Sequence, residues 1–223
     1  MQGNPQRRYW DNRFSKEGRI WGEAPCGAAL HVGRIFKNHH VSKVLVPGCG
    51  YGRNSLFLAR YGFQVVGFDI SAVAIEMAKE EARKEKLPIR YFVKDILDSP
   101  LEEETFEGIF SFNNLHLFSE INREKVGIWL TNSLAPNGVL ALTSMSTKDE
   151  DFGKGEKVAL NTFDNKKGRP VFYSDENSIR NLFEGKLKIE SIEEMCEQEN
   201  HGGRHHIHWM WFFVGLKNNL GRV

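Results

Sequence analysis

The most restrictive feature of this sequence is a glycine-rich turn that follows a short apolar run. Residues 43–47 read KVLVP, which is typical of a buried strand, and Gly48, Gly50 and Gly52 follow at alternate positions. Glycine at such positions lets the backbone turn tightly and approach a ligand closely. The helix predicted after the turn, over 54–61, has free N–H groups in its first turn. A strand, a glycine turn and a helix in this order predict a βα unit that holds a ligand beside the turn.

Strand-like and helix-like segments continue to alternate after this unit. The pattern predicts strands at 64–69, 89–93, 106–112 and 138–144, and helices at 71–86 and 125–134. Such alternation indicates a parallel sheet with helices on both of its faces.

The C-terminal part of the chain breaks the alternation. A polar excursion over 147–170 and a short helix over 174–183 come before two strands, 187–195 and 206–216. Because no helix separates these two strands, they must pair antiparallel. The predicted fold is therefore α/β: a doubly wound, mostly parallel sheet of seven strands with an antiparallel last strand.

Length predicts one domain. A chain of 223 residues can bury one large core without disulfides or metals, so a single domain over 1–223 is expected. Within it, a helical and aromatic N-terminal cap (1–40) precedes the α/β core (41–223).

Charge, hydropathy and cysteine content argue against several classes of protein. The formal net charge is +1, so no strong attraction to nucleic acid or to an anionic membrane is expected. No apolar run approaches the ~18 residues of a membrane span, and the polar start lacks the apolar stretch of a signal peptide. Three scattered cysteines cannot build a disulfide framework, which indicates a reducing, cytoplasmic location (Cys26, Cys49 and Cys196).

Two aspartates follow the second and third predicted strands. Asp69 comes directly at the end of its strand, 21 residues after Gly48, where a carboxylate can accept both hydroxyl hydrogens of a ribose. Asp95 can accept from an exocyclic amine, and Ile96 beside it can pack on an adenine face. Together with the glycine turn, these positions favour a ligand that contains ribose and adenine.

Two other interpretations of the glycine turn remain open. Such a turn can be purely structural. The second interpretation is a nicotinamide-dependent oxidoreductase, but dinucleotide binders require GxGxxG, and Arg53 stands where the third glycine would be. Two mononucleotide-binding halves would also give six parallel strands, without an antiparallel end.

The chain resembles the class I S-adenosylmethionine-dependent methyltransferases over most of its length. The segments that carry the resemblance are VLVPGCGYGRNS (44–55), VVGFDIS (65–71), KDIL (94–97), FEGIFSFNNLHLF (106–118) and LAPNGVLALTS (134–144). The aromatic segment from Tyr9 to Pro25 is similar to the cap of a narrower group, the small-molecule methyltransferases related to tellurite-resistance and thiopurine S-methyltransferases.

The resemblance implies a Rossmann-like methyltransferase fold and S-adenosyl-L-methionine as the cofactor. It also implies a set of cofactor-binding residues, which are Trp21, Gly48, Cys49, Gly50, Arg53, Asp69, Ile70, Asp95, Ile96 and Asn113. The implied reaction is methyl transfer to a small molecule, with a soft nucleophile, a thiol or a chalcogen oxyanion, as the first choice.

One position departs from the pattern of this family. Val46 stands two residues before the first glycine, where many members carry an acidic residue that helps to hold the methionine moiety. This departure favours one alternative, a methyltransferase-like protein that binds the cofactor without turnover. Another alternative is an RNA or protein methyltransferase, although the near-neutral charge argues against RNA.

Acceptor-site residues are expected at the carboxyl ends of the strands and in the cap. His116 and Asn113 follow the fourth strand and are the candidate catalytic residues, and the imidazole of His116 is a candidate general base. Trp10 is a candidate substrate contact in an aromatic lid. Arg204 and His206 are expected to recognise an anionic group of the substrate.

No metal site is predicted. Alternation places His206 and His208 on one strand face, but no cysteine or carboxylate pattern at ligand spacing accompanies them. The expected partner is a small-molecule methyl acceptor, with no nucleic acid and no membrane, and the chain is expected to be a monomer or a homodimer.

Overall fold

The computed structural model describes residues 4–98, 104–165, 168–201 and 204–218, and the side chains of Asn200, His201, Arg204 and His205 lie outside this description. The helices are α1 (Pro5–Glu17), α2 (Gly27–Asn38), α3 (Arg53–Arg60), α4 (Ala72–Lys84), α5 (Glu120–Ser133) and α6 (Glu176–Phe183). The strands are β1 (Lys43–Pro47), β2 (Gln64–Asp69), β3 (Arg90–Val93), β4 (Phe106–Ser111), β5 (Leu134–Met145), β6 (Glu156–Ala159), β7 (Thr162–Asp164), β8 (Val171–Phe172), β9 (Lys188–His201) and β10 (Arg204–Leu216).

The main sheet has seven strands in the order β3-β2-β1-β4-β5-β10-β9. Strands β1 to β5 pair parallel with one another, whereas β10 pairs antiparallel with both β5 and β9. This arrangement confirms the predicted seven-stranded, mostly parallel sheet with an antiparallel last strand. The carboxyl ends of β1, β2, β3 and β4 therefore meet at one edge of the sheet.

Side-chain alternation along β1 divides the core between the two faces of the sheet. Val44 and Val46 pack with Phe36 of α2 on one face. Leu45 points to the other face and belongs to the cluster that contains Trp129 of α5. Because helices cover both faces, the strand is an unbroken apolar run, and burying each such aliphatic side chain contributes ~1.5–3 kcal/mol.

Local hydrogen bonds define where several helices begin. The Ser71 hydroxyl accepts from Ala74 N at 3.1 Å and caps α4, as its position in the sequence predicts. Helix α5 begins at Glu120, five residues before the predicted start. Its first turn is polar apart from Ile121, which is 67% exposed, so the apolar period begins only at Val126.

The polar excursion predicted at 147–170 contains most of a second, small sheet. Strands β6, β7 and β8 form it in that order, with antiparallel pairs. These strands have two to four residues, and every residue of β6 is exposed. No alternation of apolar and polar residues therefore marks them in the sequence.

The helical N-terminal segment packs over the start of α4 through aromatic side chains. Phe14, Ile20 and Tyr51 form a buried cluster with Ala74, and Trp10 and Trp21 pack against it. This contact places α1 above the carboxyl ends of β1 and β2. Across the described ranges, every helix is too short or too polar to cross a bilayer.

Candidate cofactor and acceptor site

A cavity of about 470 Å³ lies beneath α1 at the carboxyl ends of β1, β2, β3 and β4. Most of the site residues predicted from the sequence line it, namely Trp10, Trp21, Gly48, Cys49, Gly50, Arg53, Asp69, Ile70, Asp95, Ile96, Asn113 and His116. Tertiary structure thus brings together residues that are up to 106 positions apart in the chain.

The glycine turn is held by neighbours that leave no room for a side chain. Gly48 has φ +61°, and Asn114 lies against it from the segment after β4. Gly52 has φ +89°, and the hydroxyl of Tyr91 from β3 lies 2.7 Å from where a Cβ would be. Both positions therefore require glycine, for conformation and for space.

Asp69 connects the end of β2 to the glycine turn. Its carboxylate accepts from Gly50 N at 2.9 Å and from Ser71 N at 2.8 Å. The side chain is buried, and this burial raises the pKa of Asp69 to about 6, although the hydrogen bonds from Ser71 and Gly50 oppose the rise. Each carboxylate oxygen keeps acceptor capacity for a further donor, such as a ribose hydroxyl.

Asp95 connects the segment after β3 to the N-terminal cap. Its carboxylate accepts from Asn4 Nδ2 at 2.8 Å and from Leu97 N at 3.0 Å. Asn4 is also the N-cap of α1, because its Oδ1 accepts from Gln6 N at 2.9 Å. The same carboxylate that the sequence assigns to an adenine amine therefore positions the start of α1.

Aromatic rings of the cap cover the cavity. Trp21 stacks on Tyr51 of the glycine turn at a ring-centroid distance of 6.2 Å, and Trp10 stacks on Phe14 at 5.7 Å. The guanidinium of Arg169, from the segment between β7 and β8, lies 3.7 Å from the ring centre of Tyr9. The small second sheet thus meets the cap at the rim of the cavity.

Arg53 forms a buried ion pair that the sequence did not indicate. It donates to Glu199 Oε1 at 2.7 Å and to Trp21 O at 2.8 Å, and 10% and 8% of the Arg53 and Glu199 side chains are exposed. The carboxylate of Glu197, two residues earlier on β9, accepts from Gly27 N at the start of α2. Strand β9 therefore contacts the cap in two ways, through the Glu199–Arg53 ion pair and through the hydrogen bond from Gly27 N to Glu197.

The other end of the cavity is polar and lies beside β5 and β10. Asn113, with φ +49°, donates its N–H to Thr143 Oγ1 at 2.9 Å, and its Oδ1 accepts from the same hydroxyl at 3.0 Å. His116 follows it on a 3₁₀ turn, Leu115–Leu117. The side-chain amide of Asn113, which the sequence places in the site, is thus positioned by β5.

The prediction that His206 contacts the substrate is not supported by the cavity, which another C-terminal histidine lines instead. His208 lines the cavity, whereas His206 is not among the lining residues, although the two rings stack at 5.8 Å on one strand face. The side chain of Arg204 lies outside the described residues. Among the residues that the structure describes, no group of three histidine, cysteine, aspartate or glutamate side chains is placed to hold a metal ion.

Several cavity residues were missed by the sequence interpretation. Three of them line the cavity: Glu199 lies on β9, Tyr173 directly follows β8, and Met145 ends β5. Asp149 supports His208 from outside the lining. None of these residues belongs to a spaced motif, because they come from elements that only the sheet topology brings together.

Comparisons with known proteins identify the central part of the chain. The family described as "Methyltransferase domain" matches residues 44–138. Thiocyanate methyltransferase 1 of Brassica oleracea is 32% identical over 128 residues, which is 56% of this chain and 55% of that protein. TehB of Haemophilus influenzae, named as a probable S-adenosyl-L-methionine-dependent methyltransferase, is 34% identical over 111 residues, 48% of this chain and 37% of that protein.

A third relative has a different named activity. The S-adenosyl-L-methionine-dependent Diels-Alderase iccD of Talaromyces variabilis is 31% identical over 112 residues, which is 48% of this chain and 37% of that protein. The chain thus spans between 37% and 55% of the length of these three curated relatives.

Solved structures extend the likeness over nearly the whole chain. The crystal structure of Haemophilus influenzae TehB has a TM-score of 0.69 at 19% identity, covering 94% of this chain and 67% of that one. The Burkholderia thailandensis 1,6-didemethyltoxoflavin-N1-methyltransferase, solved with 1,6-didemethyltoxoflavin and S-adenosylhomocysteine, has a TM-score of 0.71 at 15% identity, covering 96% and 87%. Residues 44–138 therefore match the methyltransferase-domain family, and the chain shares its fold with these two solved structures.

Proposed function

We propose that this chain binds S-adenosyl-L-methionine in the cavity beneath α1 and transfers its methyl group to a small-molecule acceptor. The observation that carries the proposal is the convergence of the glycine turn, Asp69 and Asp95 at one sheet edge, under the aromatic cap. Open α/β sheets bind ligands at this edge. A cavity of about 470 Å³ is also within the range of small-molecule sites.

The residues present fit the cofactor. Gly48 and Gly50 bring backbone close to the ligand, and Asp69 keeps acceptor capacity for ribose hydroxyls. Asp95 and Ile96 are assigned to the adenine, and Trp21 closes the site from the cap. Val46 is buried and apolar, so no acid at that position contacts the methionine end.

This reaction depends mainly on how the acceptor is positioned, because the methyl group of the cofactor is already electrophilic. The bound cofactor supplies an electrophilic methyl group on a sulfonium. The chain's own residues align the acceptor with that methyl and exclude water, which is the task of the aromatic rings of the cap.

The acceptor end of the cavity supports a small acceptor that has a soft nucleophile and a negatively charged group. The Arg169 guanidinium lines the cavity, and among the described residues no carboxylate lies within ion-pair distance of it. A relative that is named for thiocyanate supports the same choice. We therefore place thiols and chalcogen oxyanions first among the acceptors.

Calorimetric titration tests the cofactor, and methyl transfer tests the reaction. S-adenosylmethionine and S-adenosylhomocysteine should bind with micromolar dissociation constants, whereas NADH should not bind. Labelled methyl groups should then pass to members of a panel of thiols and chalcogen oxyanions. Absence of binding by both sulfur compounds would contradict the proposal.

A second candidate is a protein that binds the cofactor without methyl turnover. Val46 at the usual acidic position favours it, and so does the relative named as a Diels-Alderase. Tight binding of S-adenosylmethionine together with no S-adenosylhomocysteine formation across the acceptor panel would support this candidate over the first.

The organisation of the protein is part of the same proposal. We take residues 1–223 as one methyltransferase domain with an N-terminal cap (1–40) and a core (41–223), acting as a monomer or a homodimer in the cytoplasm. The free thiols of Cys26, Cys49 and Cys196 support a reducing compartment. Sedimentation of the purified protein measures its oligomeric state.

A further inference from the structure

A buried carboxylate holds one of the cavity histidines. Asp149 lies in the segment after β5, and 1% of its side chain is exposed. It accepts from Asp151 N at 3.0 Å and from Trp209 N at 3.0 Å. Its Oδ2 also lies 3.1 Å from Nδ1 of His208. Two backbone donors therefore fix the carboxylate in place beside the imidazole.

This contact assigns the ring nitrogens of His208. The Asp149 carboxylate is an acceptor, so Nδ1 of His208 carries a proton and donates it to Asp149. The nitrogen that exchanges a proton with a ligand is then Nε2. His208 lines the cavity from β10, and the parallel ring of His206 stacks on it. A buried carboxylate that orients an imidazole in this way is the geometry of a general base.

We propose that His208 and Asp149 form a general-base dyad and that the natural acceptor is a protic nucleophile, a thiol, rather than an oxyanion. This inference rests on the proposed function. The acceptor S–H proton passes to His208 Nε2, and the acceptor sulfur bonds to the methyl carbon. The electron pair of the broken carbon–sulfonium bond stays on the departing sulfur. The positive charge thus moves from the sulfonium to the imidazolium, and two neutral thioethers result.

The charges around His208 support this role. The hydrogen bond to Asp149 raises the pKa of His208 above its ordinary value, although burial opposes the rise. The negative charges of Glu199 and Asp151, which line the same cavity, raise the pKa of His208 further. Across the strand pair His208 lies opposite Glu197. Arg53 pairs with Glu199, and the ring of His206 on the same strand stacks on His208. An imidazole made more basic is the stronger proton acceptor.

Substituting the dyad should separate protic acceptors from ionised ones. His208→Gln should lower kcat/KM about 100-fold for an alkylthiol with a pKa of about 8.5, since a general base contributes at least this much. An arylthiol that is ionised at pH 7 has no proton to lose, so its kcat/KM should change less than about threefold. The loss with the alkylthiol should also shrink as the pH rises and that thiol ionises in solution.

Two further histidine variants serve as comparisons. His116→Gln tests the other imidazole of the cavity, and His31→Gln changes an exposed residue of α2 outside the cavity. His31→Gln should match the unsubstituted protein. Equal losses for both thiols in His208→Gln, or the acceptor-selective loss in His116→Gln instead, would overturn the proposal.

Asp149→Asn tests the orienting carboxylate. The rising limb of kcat/KM against pH should move to lower pH, because the imidazole loses the group that raises its pKa. Nuclear magnetic resonance titration of the His208 ring should show the same shift. An unchanged titration would overturn the dyad irrespective of activity. Affinity for S-adenosylhomocysteine, measured in every variant, separates this failure from failure of the proposed function.

Discussion

The side chain of Asn114 fills the space that a Cβ on Gly48 would occupy. A Cβ at Gly48 would overlap Oδ1 of Asn114, and Nδ2 of the same side chain donates to Pro47 O at 2.8 Å. Asn114 belongs to the segment after β4, 66 residues further along the chain. The shape of the glycine turn is therefore set jointly by the end of β1 and the end of β4.

Gly48→Ala is expected to damage both stability and cofactor binding. The left-handed backbone, with φ +61°, costs an alanine ~1–2 kcal/mol, and displacement of Asn114 adds to that cost. Gly18→Ala is the matched control, since Gly18 has φ +63° and nothing lies within 4 Å of its Cβ position. Urea unfolding should show a clearly larger loss for Gly48→Ala. Equal losses in the two variants would mean that the Asn114 contact is unimportant.

Asp69→Ala should weaken binding of S-adenosylhomocysteine by roughly 5- to 150-fold. Losing hydrogen bonds from ligand hydroxyls to a charged group costs ~1–3 kcal/mol. Asp98→Ala, an exposed change outside the cavity lining, should leave the affinity as it is. Calorimetry on both variants checks the assignment, and unaltered affinity in Asp69→Ala would remove this residue from the ribose site.

The ligand-free protein should lose stability as Asp69 ionises. Its folded-state pKa of about 6 lies above the ordinary value of 3.8, so the folded state binds the proton more tightly than the unfolded state does. The free energy of unfolding should therefore fall as the pH rises from 3.8 through about 6, relative to the Asp69→Asn variant. Urea titrations of both proteins across this range measure the difference. A parallel pH dependence in the two proteins would contradict the raised pKa.

Glu199→Gln should destabilise the protein by about 3 kcal/mol. It leaves the buried guanidinium of Arg53 without its counter-charge, which is the costly way to break a buried ion pair. Glu193→Gln changes an exposed residue on the same strand and should cost less than about 0.5 kcal/mol. Comparison of the urea midpoints tests the difference, and similar midpoints would show that the ion pair contributes nothing.

Arg169→Gln should raise KM for thiols that carry a carboxylate and leave KM for neutral thiols within about twofold. The guanidinium lines the cavity against the rings of Tyr9 and Trp10, where burial lowers its pKa without removing its charge. Arg180→Gln, on α6 and outside the cavity lining, is the control. Steady-state kinetics with a matched pair of thiols checks this, and an equal rise in KM for both thiols would argue for a purely structural role.

The main sheet and the helices that flank it could be predicted from the sequence, whereas the small sheet of β6, β7 and β8 could not. The apolar runs of β1, β2 and β4 and the helix that Ser71 caps carry period and capping signals that depend only on neighbouring residues. The antiparallel end followed from the absence of a helix between two strands. The sequence also predicts that Gly48, Asp69 and Asp95 lie at one edge of the sheet, because each stands at or just after the carboxyl end of a parallel strand.

The other end of the cavity could not be predicted from the sequence. Arg169 and His208 line the cavity from the excursion and from β10, and Asp149, which also lies in the excursion, contacts His208. No spacing rule relates these residues, since the position of His208 depends on how β10 pairs with β5. For the same reason the sequence favoured His116 and His206, whereas the structure supports His208 with a buried carboxylate. Hydrophobic periods and capping residues predict helices, strands and the turns beside them. Contacts between distant segments depend on how these elements pack, and no local sequence pattern indicates that packing.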